Sequence, residues 1–328
     1  MNVTGSSKFS VPRGRWRKRA AEYSGMLVAL GLLVLVFSLS TKHFFSPVTF
    51  RTIANQIPAL LLVATGMTWI LVLGEIDLSV GSVFGFCTSL LGVALVKWHW
   101  PVALALMLAV VGGVACGSFN GWVSQRWKLP TFIVTLGMLE MARGGAHFVT
   151  SSQTQYVGSK IEWISGTAVA GLSLPFLLAL VVVAAAEIAM NRTVFGRYVV
   201  ATGTNAEAVR LTGIEPGPIK LAVFVASEVL VSLAAIVDTS RFQSANPNSG
   251  TGLELQAIAA AVIGGTSLMG GRGSVLNTLF GVLVMAVLNA GLAAIGARDE
   301  TKRLVTGLVI VGAVIVDRYR TKPGRSSS

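Results

Sequence analysis

Ten apolar stretches, each long enough to cross a lipid bilayer, occupy most of the chain and leave few folds open to it. A hydrocarbon core about 30 Å thick needs roughly 20 helical residues per crossing. The stretches fall near residues 23–40, 55–73, 79–96, 101–124, 130–149, 169–190, 218–238, 253–269, 275–295 and 302–317. They are continuous rather than alternating, which specifies helices, because barrel strands alternate apolar and polar positions and a spanning backbone must satisfy its own hydrogen bonds. The expected fold is all-α, a polytopic membrane protein of about ten transmembrane helices. Composition agrees: 53% hydrophobic against 12% charged residues over 328 positions leaves too little polar surface to cover a water-soluble globule.

The placement of basic residues orients the bundle. An even number of spans puts both ends on one side, and most of the 26 Lys and Arg residues then share that side. They run from Lys8, Arg13, Arg15, Arg17, Lys18 and Arg19, through Arg126, Lys128, Arg192, Arg197, Arg210, Lys220 and Arg272, to Arg318, Arg320, Lys322 and Arg325. The positive-inside bias makes both termini cytoplasmic. The expected organisation is a basic tail over 1–22, a transmembrane domain over 23–317 and a second tail over 318–328. The net charge of +12 is scattered over short loops and tails. It therefore meets anionic lipid headgroups rather than a nucleic acid, for which no basic stripe or recognition module is present. The first apolar run reaches Phe37 with no small-residue cleavage pattern, so it reads as a retained helix rather than a cleaved leader. Cys87 and Cys116 lie inside spans, and His43, His99 and His147 share no metal-ligand spacing, so no disulfide framework or metal site is expected.

The costly feature is the polar, glycine-bounded break Gly74-Glu75-Ile76-Asp77-Leu78-Ser79-Val80-Gly81 at the cytoplasmic end of one span. Acidic groups facing lipid are expensive, and within transmembrane segments they mark pathways or paired interiors. Glu75 and Asp77 either line the inner mouth of a path or are structural. For Asp77 the structural role is a cap on the helix starting near Ser79, where a carboxylate accepts amide hydrogen bonds and meets the helix dipole. Glu140 and Arg143, three apart near mid-bilayer, have the spacing of a neutralised pair or else contact a ligand. Glu187 and Glu228 read as helix-packing or interface residues. Gly113, Gly117 and Gly121, four apart, let two helix backbones approach closely. Asn55, Gln56, Asn120, Thr135 and Asn289 suit ligand hydroxyls and interhelical bonds equally. The expected pathway set is Glu75, Asp77, Asn120, Thr135, Glu140, Arg143 and Asn289; no nucleophile–base pair is present and no catalytic residue is expected.

Energy must come from elsewhere. The glycine-rich run Gly264 to Gly273 lacks the Lys with which a P-loop holds phosphates, so the chain does not hydrolyse ATP itself. Between two spans lies Asn205-Ala206-Glu207-Ala208-Val209-Arg210-Leu211-Thr212-Gly213, opened by the capping-type Thr204-Asn205 and closed by Gly213 with Pro216 and Pro218 beyond. A helix over 204–214, isolated between spans, is marginal in water unless it docks, which implies a cytoplasmic partner.

Glu207-Ala208-Val209, followed three residues later by Gly213, resembles the EAA-type coupling loop of ABC importer permeases, with Val209 where a second alanine usually stands. More specifically, Gly74 to Gly81 resembles the signature of the ribose-type sugar permease family. So do Val134 to Met138 with Ala142-Arg143-Gly144, Gly117 to Gly121, and Val262 to Ser267 with Gly270-Gly271, in the family's order over residues 50–318. Glu75 and Glu140 depart from the family's usual glycine and neutral residue. The resemblance implies an inner-membrane homodimer, or a dimer with a related permease, moving a sugar by alternating access along the dimer axis. A separate ATP-binding subunit would dock on Asn205, Glu207, Ala208, Arg210 and Gly213 and use the ATP, this chain binding no cofactor. A periplasmic sugar-binding protein would deliver the substrate. Two alternatives stay open: an ABC permease for branched-chain amino acids, and an ion-coupled secondary transporter, which would also use acidic groups in broken helices.

Overall fold

The computed structural model describes residues 14–42 and 44–321. Lys8, Arg13, Lys322 and Arg325 of the basic tails lie outside the described residues, as does His43. Among the described residues thirteen α-helices carry the fold: α1 (Gly14–Ser40), α2 (Pro47–Gln56), α3 (Pro58–Val72), α4 (Val80–Val96), α5 (Val102–Arg126), α6 (Thr131–Thr150), α7 (Glu162–Ser165), α8 (Leu174–Arg192), α9 (Val194–Leu211), α10 (Pro216–Phe242), α11 (Leu253–Ile263), α12 (Val275–Ala294) and α13 (Asp299–Thr321). Helix α1 already begins within the expected N-terminal tail. Among the described residues α5, α8, α10 and α12 are individually long and apolar enough to cross a membrane. The pair α2–α3, bent by 49°, makes a fifth. The bend falls at Ile57-Pro58, where proline has no N–H to continue the ladder. Helix α6 carries Glu140, Arg143 and His147, which lower its hydropathy, and α4 and α11 are apolar but shorter.

Two expected spans take a different form. The stretch 169–190 begins in a hairpin, β2 (Thr167–Val169) against β3 (Leu172–Ser173), turned by Ala170 and Gly171 at positive φ as a two-residue hairpin turn requires. Helix α8 starts only at Leu174, capped by the Ser173 hydroxyl. Asn55 holds this hairpin to α2, its Nδ2 donating to the Gly171 carbonyl at 3.1 Å and its Oδ1 accepting from the Ser173 amide at 2.8 Å.

The stretch 253–269 is not one helix. Helix α10 ends in Gln243 at positive φ. The chain then returns into the bundle without helix, pairing β4 (Ser244–Ala245) with β1 (Gln155–Tyr156) on the way. A Cβ on Gly92 would meet Ala245, one on Gly85 would stand 2.8 Å from the Ser249 carbonyl, and one on Gly81 would overlap the Gly250 carbonyl. The glycine face of α4 thus admits this segment over a depth of about 16 Å, at 1.5 Å per helical residue. Helix α11 begins there, in the interior, and its eleven residues cover only half a bilayer. It stops at Gly264, where a Cβ would stand 2.6 Å from the Asn277 carbonyl of α12. The expected span 253–269 overruns the helix by residues 264–269, which form a partly buried loop.

Helix α10 is the axis of packing, with α3, α4 and α5 against it. Between helices in lipid the gain comes from close van der Waals contact rather than from the hydrophobic effect, so small residues define the interfaces. Gly113, Gly117 and Gly121 of α5 do this: a Cβ on Gly117 would lie 2.8 Å from the Phe224 carbonyl and 3.1 Å from Glu228 Cβ.

Candidate functional site

The break between α3 and α4 is held at two depths. Gly74 takes φ +80°, which glycine alone adopts freely, and turns the chain back toward the interior. Glu75 stays at the end of the bundle, paired with Lys220 in the first turns of α10 and accepting from the Thr131 hydroxyl at 2.6 Å. One turn further into α6, the buried Thr135 hydroxyl accepts the Leu78 amide at 3.2 Å. Asp77 is deeper than the sequence reading placed it. Residues 75–79 carry the chain inward without helix or strand. They bring Asp77 and Ser79 level with Glu228, near the middle of α10, rather than leaving both acids at the mouth. Asp77 Oδ1 accepts from the Ser79 amide at 2.8 Å and from the Ser79 hydroxyl at 2.6 Å, just before α4 begins. Asn120 Nδ2 donates to the same hydroxyl at 3.0 Å, and Glu228 Oε1 lies 3.5 Å from it.

Arg143 does not pair with Glu140. Its guanidinium crosses to the re-entrant segment and donates to the carbonyls of Pro247 at 2.7 Å and Ser249 at 3.1 Å, and to that of Gly81 at 3.4 Å. A planar fork with several donors suits a cluster of backbone oxygens that helix ends leave unpaired. Glu140 points outward on an exposed face of α6, between Leu136 and Met141. Glu187 joins α8 to the start of α12, which it caps: it accepts from the Leu276 amide at 3.1 Å and from the Ser274 hydroxyl at 3.1 Å.

A cavity of about 300 Å³ lies in the half of the bundle opposite the 205–213 turn, at the low end of the range for small-molecule sites. Its floor is the start of α11, and Gln56, Phe84, Asp238, Gln256 and Asn289 line it. Carboxylate, amide and aromatic groups around a helix N-terminus supply acceptors, donors and a flat apolar surface to a neutral hydroxylated ligand. Gln56 and Asn289 were legible as hydrogen-bonding groups. Asp238 and Gln256 were not singled out, although an acid in the apolar run of α10 is the same costly signal as Asp77. The seven expected pathway residues therefore separate: Asp77, Asn120 and Thr135 hold the interior break, Glu75 its end, Arg143 the re-entrant segment, Asn289 the cavity, and Glu140 the outer surface. Among the described residues no group of three or more His, Cys, Asp or Glu side chains is placed to hold a metal.

The expected docking helix follows directly on the first part of α9 and is set off from it by a kink. At Asn205 the backbone leaves helical geometry, with φ −162° and ψ 97°. Asn205 Oδ1 then accepts the Ala208 amide at 2.9 Å, starting a new turn as a cap does. The turn closes at Gly213, φ +84°. Val209 alone anchors it inward, while Glu207, Ala208 and Arg210 are exposed and Leu211 is 80% exposed. The Arg210 guanidinium donates to Glu207 at 2.6 Å and holds that carboxyl below the usual carboxylate range.

Lys220→Met is expected to lower thermal stability of the purified protein by about 1–3 kcal/mol, because Glu75 is left partly buried and unpaired. Exchanging the two residues, Glu75→Lys with Lys220→Glu, should restore much of the loss; an unchanged melting midpoint in Lys220→Met would show that the pair does not hold the break.

Residues 49–314 match the family described as branched-chain amino acid transport system / permease component. The ribose import permease protein RbsC of Haemophilus influenzae is 34% identical over 297 residues, covering 89% of this chain and 92% of that protein. The fructose import permease protein FrcC of Rhizobium meliloti is 31% identical, covering 90% of this chain and 86% of its own length. The L-arabinose ABC transporter permease protein AraH of Azospirillum brasilense is 31% identical, with 92% and 89% covered. No solved structure matches the chain. With four to five helices able to cross a membrane and permeases as relatives, this is a multi-pass protein of the inner membrane. By a family match that spans most of its length, the chain belongs to the permease components of the branched-chain amino acid transport system family.

Proposed function

We propose that the chain is the membrane permease of an ATP-binding cassette importer, carrying a sugar from a periplasmic binding protein into the cytoplasm by alternating access. The observation that carries this reading is the exposed turn between Asn205 and Gly213. It is a capped, charged helical turn presenting Leu211 to the outside at one end of an otherwise apolar bundle. A separate ATPase seated there would bury Leu211 and supply the energy that this chain cannot. Three relatives named as ribose, fructose and arabinose permeases support a sugar as cargo. The cavity with Gln56, Asp238, Gln256 and Asn289 supplies hydroxyl partners without a fixed positive charge. A carrier site must bind loosely enough to release, and uncharged amides suit that. Glu140, exposed on α6, is costly against lipid, which supports a second permease copy covering that face.

The test is uptake into proteoliposomes holding the permease, its ATPase and its binding protein. Labelled sugar should accumulate only with ATP, and Asn289→Leu should lower the rate several-fold at unchanged ATPase binding, each lost hydrogen bond costing about 1 kcal/mol. Accumulation that survives ATP depletion but collapses with a proton ionophore would replace this reading by ion-coupled transport. Competition by leucine and not by pentoses would move the substrate to branched-chain amino acids.

A further inference from the structure

The centre of the break holds an electrostatic imbalance. Asp77, Ser79, Asn120 and Glu228 come from the break, α5 and α10, and Asp77, Ser79, Asn120 and Glu228 are each fully buried. The Ser79 hydroxyl ties them together, donating to Asp77 Oδ1 at 2.6 Å and accepting from Asn120 Nδ2 at 3.0 Å. Three further oxygens have no hydrogen-bond partner: Asp77 Oδ2, Glu228 Oε2 and Asn120 Oδ1. The Asn120 oxygen is independent of the two acids, and its amide is fixed within the cluster by its own Nδ2 bond. Buried polar atoms are normally paired, and buried charges are paired or bind ions. Among the described residues no Lys or Arg side chain is bonded to these oxygens. The Lys220 ammonium is engaged by Glu75 at the end of the bundle. Arg143 is engaged by three backbone carbonyls. Cys87 of α4 and Cys116 of α5, the other titratable side chains facing Glu228, bring no positive charge. What the cluster lacks is a cation.

We propose that Asp77, Asn120 and Glu228 form a buried binding site for one monovalent cation of sodium size, which clamps the 74–79 break to the middle of α10. The ligand chemistry fixes the class of ion. Two carboxylates and an amide oxygen are hard ligands, which exclude soft transition metals. Calcium takes six to eight oxygens; three free ones with the Ser79 hydroxyl beside them make a smaller shell, which suits a weakly held monovalent ion that completes its coordination with water. One cation leaves a single net negative charge, and it lies at the start of α4, where the helix dipole carries roughly half a positive charge. Unwound segments between half-helices are where membrane transporters coordinate small cations, because the chain there is free to turn its oxygens inward. The site does not depend on the nature of the cargo and sits on the break itself, so an ion bound here favours whichever conformation keeps Asp77 against Glu228.

The test is thermal unfolding of the full-length protein in lipid nanodiscs, at fixed pH and ionic strength, with sodium chloride replacing choline chloride. A ligand that binds the folded state stabilises it by mass action, so the melting midpoint should rise saturably with sodium and rise less with potassium. The double variant Asp77→Asn with Glu228→Gln should melt at the same temperature in both salts. Should that variant fail to fold, Asn120→Ala should raise the half-saturating sodium concentration roughly tenfold, equal to about 1.4 kcal/mol of binding. Equal midpoints in sodium and choline would overturn the proposal. A rise seen only on acidification, the same in both salts, would overturn it in favour of a proton. A sodium effect that persists in the double variant would place the ion elsewhere and would also overturn it.

Discussion

Gly213→Asp is expected to reach the membrane in normal amount and to lose ATP-driven uptake. Gly213 sits at φ +84°, and a Cβ there would meet nothing within 4 Å. The chain itself therefore has room for a side chain. Strain from the left-handed backbone costs a β-carbon residue about 1 kcal/mol, and Asp is among the residues that bear it best. A carboxylate at the end of the turn opposes the helix dipole by a further 0.3–1 kcal/mol or so. Neither sum unfolds a bundle this size. The new charge instead faces outward beside Leu211, into the surface where the ATPase is proposed to sit. A central contact worth about 2 kcal/mol there corresponds to roughly thirtyfold in affinity. The measurement is uptake and ATPase co-purification side by side, with Gly213→Asn, which keeps the left-handed turn without the charge, as a control that should retain most activity. Wild-type uptake by Gly213→Asp with the ATPase still bound would remove the turn from the docking surface.

That turn was legible because its signals are local: an Asn that caps three residues ahead, a glycine that stops, prolines beyond. The apolar runs were legible for the same reason. What the sequence hid is carried by distance and by direction. Ser79 and Glu228 are 149 positions apart, and neither the spacing nor the flanking residues of Glu228 announce a partner in the break. Arg143 stands at a spacing that permits contact with Glu140, yet helical spacing says only that two side chains share a face. A long guanidinium stem chose backbone carbonyls made available by the re-entrant segment, a segment that itself reads as an ordinary loop. Helix α11 was overextended because hydropathy reports burial in an apolar surrounding and is blind to whether the backbone is helical. The glycines Gly264, Gly265, Gly270 and Gly271 were the available sign of a stop, three of them at positive φ.

The largest loss is expected at Gly203. This residue closes the first part of α9, two positions before the kink that begins the docking turn, and its missing side chain lets three backbones meet. A Cβ on Gly203 would overlap the Val72 carbonyl oxygen at the end of α3. A Cβ on Gly74 would stand 3.5 Å from the Gly203 carbonyl, and one on Gly270 would be 2.8 Å from Gly74 Cα. The Gly271 amide donates to the Val72 carbonyl at 2.8 Å, tying the loop after α11 to the same point. The docking turn, the break that carries Asp77 and the loop that ends α11 therefore bear on one another largely through main chain. Main chain cannot swing aside as a rotamer does, so a push on the turn is passed to both half-helices. Gly203→Val should cost about 1–3 kcal/mol or more in stability, since overpacking against backbone has no side-chain relief. In the fraction that folds, the ATPase should remain bound while its hydrolysis no longer responds to loaded binding protein. Gly137→Ala, where a Cβ meets nothing within 4 Å, should be nearly silent in both assays. If Gly203→Val keeps the wild-type melting midpoint and stimulated hydrolysis, the three backbones are not in working contact and the push from the docking turn must travel through α10 instead.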